Sequence, residues 1–142
     1  MSGKRKDSMN NFTEDYVAFV NSVTSEESRL KFPFDASLAK MEQQHAIPPQ
    51  RLITAALGLS AEAGEFGDLV KKCLFQGKDL NNEVKEHMVK ELGDVMWYLS
   101  QGCMALGVSI EDVLKANIKK LEARYPNGFE KVRSERRAQK DV

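Results

Sequence analysis

Two acidic pairs lie in segments whose apolar residues have helical spacing: Glu62 with Glu65, and Glu91 with Asp94. Residues three apart share one face of an α-helix, so each pair places two like charges side by side. From the 21 acids of the chain, roughly three such pairs are expected by chance, and four occur. The spacing alone therefore fits an ordinary solvated helix face.

The position of the acids beside the apolar face favours a functional site instead. Glu62 and Glu65 flank the apolar residues of the first segment. In the second segment a polar strip runs along one side of an apolar strip. The polar strip is His87, Glu91, Asp94, Tyr98 and Gln101, and the apolar strip is Met88, Leu92, Val95 and Leu99. A short turn at residues 76–79 separates the two segments, so their helices should pack antiparallel and bring four carboxylates together.

Four carboxylates in one partly buried place either take up protons or recruit cations. Oxygen ligands without clustered His or Cys favour Mg²⁺ or Mn²⁺ over zinc. The first acidic segment also carries Gly58, Gly64 and Gly67, and a glycine inside a helix costs about 1 kcal/mol relative to alanine. We interpret these small residues, with Ser60 and Ala61, as allowing another backbone or a ligand to approach the helix closely.

The elements that must position these residues are all predicted to be helices, so the fold class is all-α, an antiparallel bundle of four to five helices. Thr13 is expected to cap the first helix, and the segment Phe32-Pro33-Phe34 to break it. The later helices are predicted over residues 36–45, 50–74, 82–106 with Gly107 as C-terminal stop, and from a Ser109 cap to about Tyr125. The expected buried residues are Leu52, Ala56, Leu59, Ala63, Phe66 and Val70 in the 50–74 helix, and Leu106 with the apolar strip above in the 82–106 helix.

Length and composition predict a single domain, with residues 1–10 as a disordered lead, 11–129 as the domain and 130–142 as a charged tail. The 142 residues include 21 basic and 21 acidic ones. This balance argues against binding to nucleic acid polymers or a membrane surface. No apolar stretch reaches membrane-spanning length, and Cys73 and Cys103 lie in apolar helical patterns as reduced thiols, so a cytoplasmic location is expected, in the host if the gene is viral.

The acidic motifs and their surroundings resemble a known family. Glu62-x-x-Glu65, then 25 residues, then Glu91-x-x-Asp94 is similar to the MazG-like nucleoside triphosphate pyrophosphohydrolases of the all-α NTP pyrophosphatase superfamily, in particular the small single-domain phage and bacterial members. The segments GLSAEAGEFGDLVKK, KELGDVMWYL and ANIKKLEARYPNGF strengthen the resemblance, which covers residues 52–129.

The resemblance implies Mg²⁺-dependent hydrolysis of a (deoxy)nucleoside triphosphate to the monophosphate and pyrophosphate, with deoxynucleotides preferred. It assigns the metal to Glu62, Glu65, Glu91 and Asp94, and the orientation or deprotonation of the attacking water to either Glu62 or Glu65. Mn²⁺ is the expected substitute metal. The sequence departs from the family pattern at Ala61 and Lys90, where an acid often stands, which leaves the number of ions open.

Further residues are expected at the substrate. By the resemblance, Lys120 and Arg124 bind phosphates, with Asn117 one turn earlier and Tyr98 near the sugar or phosphate. Without the resemblance, Lys120 and Arg124 would be interpreted as surface charges and Tyr98 as a core aromatic residue. Phe32 and Phe34 are offered as a base pocket, because they precede the first acidic helix in a stretch that is not expected to be regular helix. His45 and His87 are interpreted as surface or capping residues rather than ligands.

The family also implies a homodimer or homotetramer, which agrees with apolar residues on more than one side of the 82–106 helix, such as Met96 and Trp97. Two alternatives remain open. One keeps the fold and changes the substrate to another pyrophosphate-linked nucleotide, for example phosphoribosyl-ATP. The other is a non-catalytic helical interaction protein that uses its acidic pairs in salt bridges.

Overall fold

The computed structural model describes residues 4–128, without the side chains of residues 4–10 and of His45. The prediction of an all-α protein is confirmed, since the described chain contains helices and no strand. Residues 4–128 form six helices, against the four to five expected. They are α1 Lys4–Val23, α2 Glu26–Arg29, α3 Lys31–His45, α4 Pro49–Phe75, α5 Asn82–Leu106 and α6 Ile110–Arg124.

The chain divides into two compact units between Ala46 and Ile47. The first unit contains α1 to α3. Helix α1 begins at Lys4, so the expected cap at Thr13 is wrong and residues 4–10 are helical rather than a disordered lead. The expected charged tail over residues 130–142 lies outside the described residues.

The sequence predicted that Phe32-Pro33-Phe34 would interrupt a helix. In the structure this segment instead lies at the beginning of one. Helix α3 starts at Lys31, with Leu30 in an extended conformation before it. Pro33 is therefore in the first turn, where its missing N–H has no intrahelical partner to lose. The α3 helix ends at His45, and the next residue, Ala46, has a left-handed φ of 50°.

The second unit contains the acidic motifs. Helix α5 begins after Asn81, whose side chain accepts a hydrogen bond from the Val84 N–H at 2.9 Å, and ends at Gly107, whose φ is 65°. The predicted bounds 82–106 and the glycine stop are therefore confirmed. The Ser109 cap of α6 is confirmed as well: its hydroxyl accepts from the Asp112 N–H while the Asp112 carboxylate accepts from the Ser109 N–H.

Helices α4 and α5 pack against each other along their length, in antiparallel directions. Three contacts show the direction: Arg51 Nη1 lies 3.0 Å from the Met104 sulfur, Gly102 faces Ala55 and Gly58 faces Tyr98. Positions on α4 thus increase as positions on α5 decrease. Helix α6 packs only sparsely on α5.

The packed face of the two helices is rotated from the one the sequence predicted. On α4 the buried residues are Pro49 at its start, Ala55, Gly58 and Leu69, whereas the expected Ala56 and Ala63 are exposed. On α5 the buried set is Val84, Glu91, Cys103 and Ala105. The expected Leu92 and Leu106 are about half exposed, at 48% and 53%. The rotation moves the acidic strip of each helix toward the partner helix, because the acids lie directly beside the apolar strip.

Among the helices of residues 4–128, none is long and apolar enough to cross a membrane.

Candidate metal centre

Three of the four predicted carboxylates come together between α4 and α5. Glu62 and Glu65 on α4 and Glu91 on α5 each offer an oxygen, and these oxygens all lie within 4.8 Å of one another. The two glutamates of α4 are three residues apart on one helical face, and the antiparallel packing brings Glu91 opposite them. We call Glu62, Glu65 and Glu91 the acidic cluster.

Asp94 lies next to the acidic cluster but outside it. Its side chain is exposed, and it does not share the 4.8 Å grouping of the three glutamates. Its charge is nevertheless felt at Glu62, whose pKa it helps to raise. Asp94 thus stays a predicted metal ligand.

Glu91 is the buried charged residue of the described part of the chain, with a relative exposure of 6%. His87, one turn earlier on α5, lies with its Nε2 atom 2.8 Å from Glu91 Oε1. A buried carboxylate is costly unless it is paired or hydrogen-bonded. The His87 contact supplies one partner and leaves the second carboxylate oxygen for another.

Glu62 has a raised pKa. Desolvation by burial is the largest cause, and the negative charges of Glu65, Asp94 and Glu91 follow in that order. All four effects disfavour the ionised form. A carboxylate whose ionised form is disfavoured by neighbouring carboxylates is the electrostatic arrangement expected where a cation binds.

A cavity of about 350 Å³ opens beside the acidic cluster. Glu65 and Glu91 form part of its wall, and Gly64 leaves it open because a Cβ added there would meet nothing within 4 Å. The remaining lining residues are Ala61, Asp68, Leu69, Lys72 and His87. The cavity therefore contains both carboxylates and a cationic side chain.

Asp68 and Lys72 form the charged wall of the cavity next to the cluster. Asp68 is bridged by both Lys71 and Lys72, one turn further along α4. Hydrogen bonds from the two lysines lower the pKa of Asp68 to about 2, and the same contact with Asp68 raises the pKa of Lys72. Asp68 therefore stays ionised and holds a charged lysine at the cavity.

Tyr98 packs on Gly58. A Cβ at position 58 would overlap the Tyr98 ring, so the close approach that the glycines were expected to allow is made by an aromatic side chain at this position. The ring also meets Trp97 edge to face, with centroids 4.7 Å apart. Tyr98 is half-buried, and its role at a sugar or phosphate stays a prediction.

The predicted phosphate ligands lie on α6. Asn117 and Lys120 are exposed, and Arg124 is half-buried with its guanidinium carbon 6.0 Å from the centre of the Tyr125 ring. They share one side of the helix, as the spacing predicted. The sparse packing of α6 on α5 does not join this strip to the acidic cluster, and phosphate binding by the three residues stays a prediction.

Phe32 and Phe34 belong to the first unit of the chain, in the first turn of α3, and are exposed to 82% and 43%. The reason for proposing them as a base pocket was that their segment could not be helical, and this reason is wrong. Their role at a base is not tested by the structure.

Sequence reasoning missed the cavity residues Asp68, Lys72 and His87. His87 had been placed on the polar strip of Glu91, four residues apart, which was the available signal for their contact. The Asp68 and Lys72 pair has the same spacing on α4. Pairs with this spacing are common on solvated helix faces, so the spacing alone does not distinguish these residues.

The donor set fits a hard divalent cation. It consists of carboxylate oxygens alone, which Mg²⁺ and Mn²⁺ accept and zinc sites seldom use exclusively. The fold and site together define an all-helical protein with a cavity of about 350 Å³, lined in part by carboxylates, between two antiparallel helices.

Comparison with known proteins identifies the family. The model of the MazG nucleotide pyrophosphohydrolase domain matches residues 50–129, which include α5, α6 and all but the first residue of α4 and make up more than half of the chain. The protein belongs to the MazG nucleotide pyrophosphohydrolase family, as its motifs had indicated. Members of this family depend on a divalent metal, and the domain indicates a hydrolase acting on the acid anhydride of a nucleotide.

A curated relative is the Gene 37 protein of Mycobacterium phage L5, which is 40% identical over 74 residues. The match covers 51% of this chain and 64% of the phage protein, a little less than two thirds of its length. No solved structure matches the chain.

Proposed function

We propose that the protein hydrolyses (deoxy)nucleoside triphosphates to the monophosphate and pyrophosphate in a Mg²⁺-dependent reaction, with deoxynucleotides preferred. The observation that carries the proposal is the convergence of Glu62, Glu65 and Glu91 within 4.8 Å beside a cavity of about 350 Å³. The preference for deoxynucleotides rests on the resemblance of the motifs to small phage and bacterial family members.

The chain contributes positioning and charge to this reaction. Glu62, Glu65 and Glu91, with Asp94 beside them, would hold the divalent ion, which neutralises the triphosphate and favours ionisation of water. Either Glu62 or Glu65 would orient the attacking water toward the α-phosphorus and accept its proton. The bond from the α-phosphorus to the bridging oxygen breaks, and the electron pair leaves with pyrophosphate.

Three basic side chains would interact with the negative charge of the substrate. Lys72 lies on the cavity wall, and its ammonium is held in place by Asp68. From α6, Lys120 and Arg124 would bind phosphate oxygens, with the arginine able to form two parallel hydrogen bonds, and Asn117 and Tyr98 would contact the sugar or phosphate.

The test is an assay of the purified protein against all eight common NTPs and dNTPs, with Mg²⁺, with Mn²⁺ and with neither. We expect monophosphate and pyrophosphate as the only products, no turnover without a divalent ion, and higher kcat/KM for dNTPs. Release of single phosphate would contradict the mechanism, because a different anhydride bond would then be cleaved. If the protein hydrolysed only another pyrophosphate-linked nucleotide, the proposed substrate would be wrong and the proposed site would stand.

Two variants separate the enzyme from a non-catalytic interaction protein. Glu65→Gln and Asp94→Asn should lose turnover and keep the helical circular dichroism spectrum. The matched control is Glu86→Gln, an exposed acid of α5 outside the cluster, which should keep wild-type turnover. An interaction protein would show no metal-dependent turnover in any of these variants or in the wild type.

The family also supports a homodimer or homotetramer. Exposed apolar side chains on α5, such as Met96 at 46% and Trp97 at 54%, are the kind of surface that a second copy covers. Light scattering on the full chain measures the mass, and a monomer at micromolar concentration would contradict this part of the proposal.

A further inference from the structure

His87 and Glu91 form an unusual pair for an α-helix surface. Their spacing of four residues is that of an ordinary exposed ion pair, but the Glu91 side chain is only 7% exposed while the His87 side chain is 54% exposed. The pair Glu111 and Lys115 on α6 has the same spacing with both partners exposed, at 72% and 70%. The carboxylate at position 91 is therefore buried in the helix interface and reached by the imidazole from the solvent side.

The contact fixes one oxygen of Glu91. His87 Nε2 lies 2.8 Å from Glu91 Oε1, a normal hydrogen-bond length for a nitrogen donor and a carboxylate acceptor. A carboxylate has two oxygens, so a donor on Oε1 leaves Oε2 for a further partner. Glu91 belongs to the acidic cluster with Glu62 and Glu65. In this cluster the further partner of Glu91 would be a cation.

An ion ligand that is held by a neighbouring donor has a defined orientation and loses less freedom on binding. Groups that hydrogen-bond to metal ligands typically change metal affinity by about 10- to 100-fold when they are removed. His87 also lines the cavity next to Glu65 and Lys72. It is thus placed to orient Glu91 without occupying the cluster itself.

We propose that His87 is a positioning residue, which holds the Glu91 carboxylate by its Nε2–H donor so that the free oxygen faces the cation bound by the acidic cluster. This inference rests on the metal-binding part of the proposed function. In this proposal His87 orients the metal ligand Glu91 and does not bind the ion itself, since the ligand atoms of the acidic cluster are carboxylate oxygens only.

The test measures binding of Mn²⁺ alone to the full chain, without nucleotide, by titration calorimetry or by the Mn²⁺ electron paramagnetic resonance signal. His87→Ala and His87→Phe remove the donor, and the phenylalanine keeps the ring. His87→Gln keeps an N–H donor. Lys115→Ala is the matched control, because it removes an exposed i,i+4 partner far from the cluster in sequence. Circular dichroism on each variant verifies the fold.

We expect the two donor-free variants to bind Mn²⁺ about 10-fold or more weakly, His87→Gln to recover most of the affinity, and Lys115→Ala to bind as the wild type does. In the presence of nucleotide, the donor-free variants should need correspondingly more Mg²⁺ for half-maximal rate, while kcat at saturating Mg²⁺ changes less. Unchanged Mn²⁺ affinity in either folded donor-free variant overturns the inference, as does a loss in His87→Gln equal to that in His87→Ala.

The failure of this inference is distinguishable from the failure of the proposed function. A wild-type protein that binds Mn²⁺ in a His87-dependent way but releases no pyrophosphate contradicts the enzyme and supports the role of His87. A wild-type protein that hydrolyses dNTPs, with Mn²⁺ affinity unchanged by His87→Ala, supports the enzyme and overturns the role of His87. Absence of Mn²⁺ binding to the nucleotide-free wild type overturns the role of His87, while the release of pyrophosphate decides the proposed function separately.

Discussion

The α4–α5 helix pair uses glycine in two opposite ways. In the section around Gly58, the glycine is buried and the Tyr98 ring lies directly on it. In the section around Gly64 and Gly67, added Cβ atoms would meet nothing, and Gly64 borders the cavity beside Glu65. We call these the packed section and the open section. The same residue type therefore allows close packing in one section and leaves room for a ligand in the other.

The two sections are adjacent, and each depends on the other. Glu62 lies one turn after Gly58 on α4, and Glu91 lies two turns before Tyr98 on α5. The packing of Tyr98 on Gly58 sets the separation of the helices, and this separation brings the glutamates within 4.8 Å of one another. Like charges at that distance oppose the packing, so the packed section must supply the stability that the open section lacks.

The largest expected effect is on catalysis, in the open section. Glu62→Gln should lower kcat/KM for dNTP hydrolysis by about 10²- to 10³-fold, the range found when one group that stabilises the transition state is removed. The helix pair should stay folded in the absence of metal, because the change removes one of the mutually repelling charges. Turnover is measured by pyrophosphate release and stability by thermal denaturation.

The control for this prediction is Glu86→Gln, which changes an exposed acid of α5 in the same way. A large loss of stability in metal-free Glu62→Gln would contradict the comparison, since the open section would then be contributing to the packing.

The next effect is on stability, in the packed section. Gly58→Ala should lower the free energy of unfolding by about 1 to 3 kcal/mol, the usual cost of overpacking, although alanine is the better helix former. The added methyl group overlaps the Tyr98 ring, and ring and helix must move apart. Urea denaturation measures the change, and a Gly58→Ala protein more stable than wild type would show that the ring can move without cost.

A smaller effect of opposite sign is expected at the open glycines. Gly67→Ala and Gly64→Ala should each raise the free energy of unfolding by up to about 1 kcal/mol, because alanine is favoured in helices and the new methyl group meets nothing. Only Gly64 lines the cavity. Gly64→Ala should therefore also raise KM for the nucleotide, with Gly67→Ala as its matched control. Equal KM values for the two variants would remove Gly64 from the substrate site.

The sequence was sufficient to predict the two helices of this pair. It was not sufficient to predict which face of each helix packs against the other. The bounds of α5 were predictable because Gly107 is a local stop signal. The grouping of the acids was predictable because a spacing of three residues places both acids of a pair on the same face of a helix. The burial of Ala55 in place of Ala56 was not predictable, since both fit an apolar stripe and only the contact with the partner helix decides between them. For the same reason His87 was recognised as a neighbour of Glu91 but not as its partner.

The smallest expected effect distinguishes two acids of α4 by the pH dependence of stability. Burial and negative neighbours raise the pKa of Glu62 above 4.5, so the folded protein holds a proton that the unfolded chain has released. Metal-free stability should therefore fall as the pH rises above 4.5 through the raised pKa. Added Mg²⁺ should reduce this fall, because it binds the ionised form, and Glu62→Gln should remove it.

Asp68 should behave in the opposite way. Its hydrogen bonds from Lys71 and Lys72 lower its pKa from 3.8 to about 2, so it contributes stability above pH 3.8 that is lost as the pH falls toward 2. Melting temperatures from pH 2 to 8, with and without Mg²⁺, measure both effects in one series. In Glu62→Gln the loss at low pH should remain while the fall above pH 4.5 disappears. If both features persisted in that variant, the fall at higher pH would belong to another group and the electrostatic account of the open section would be wrong.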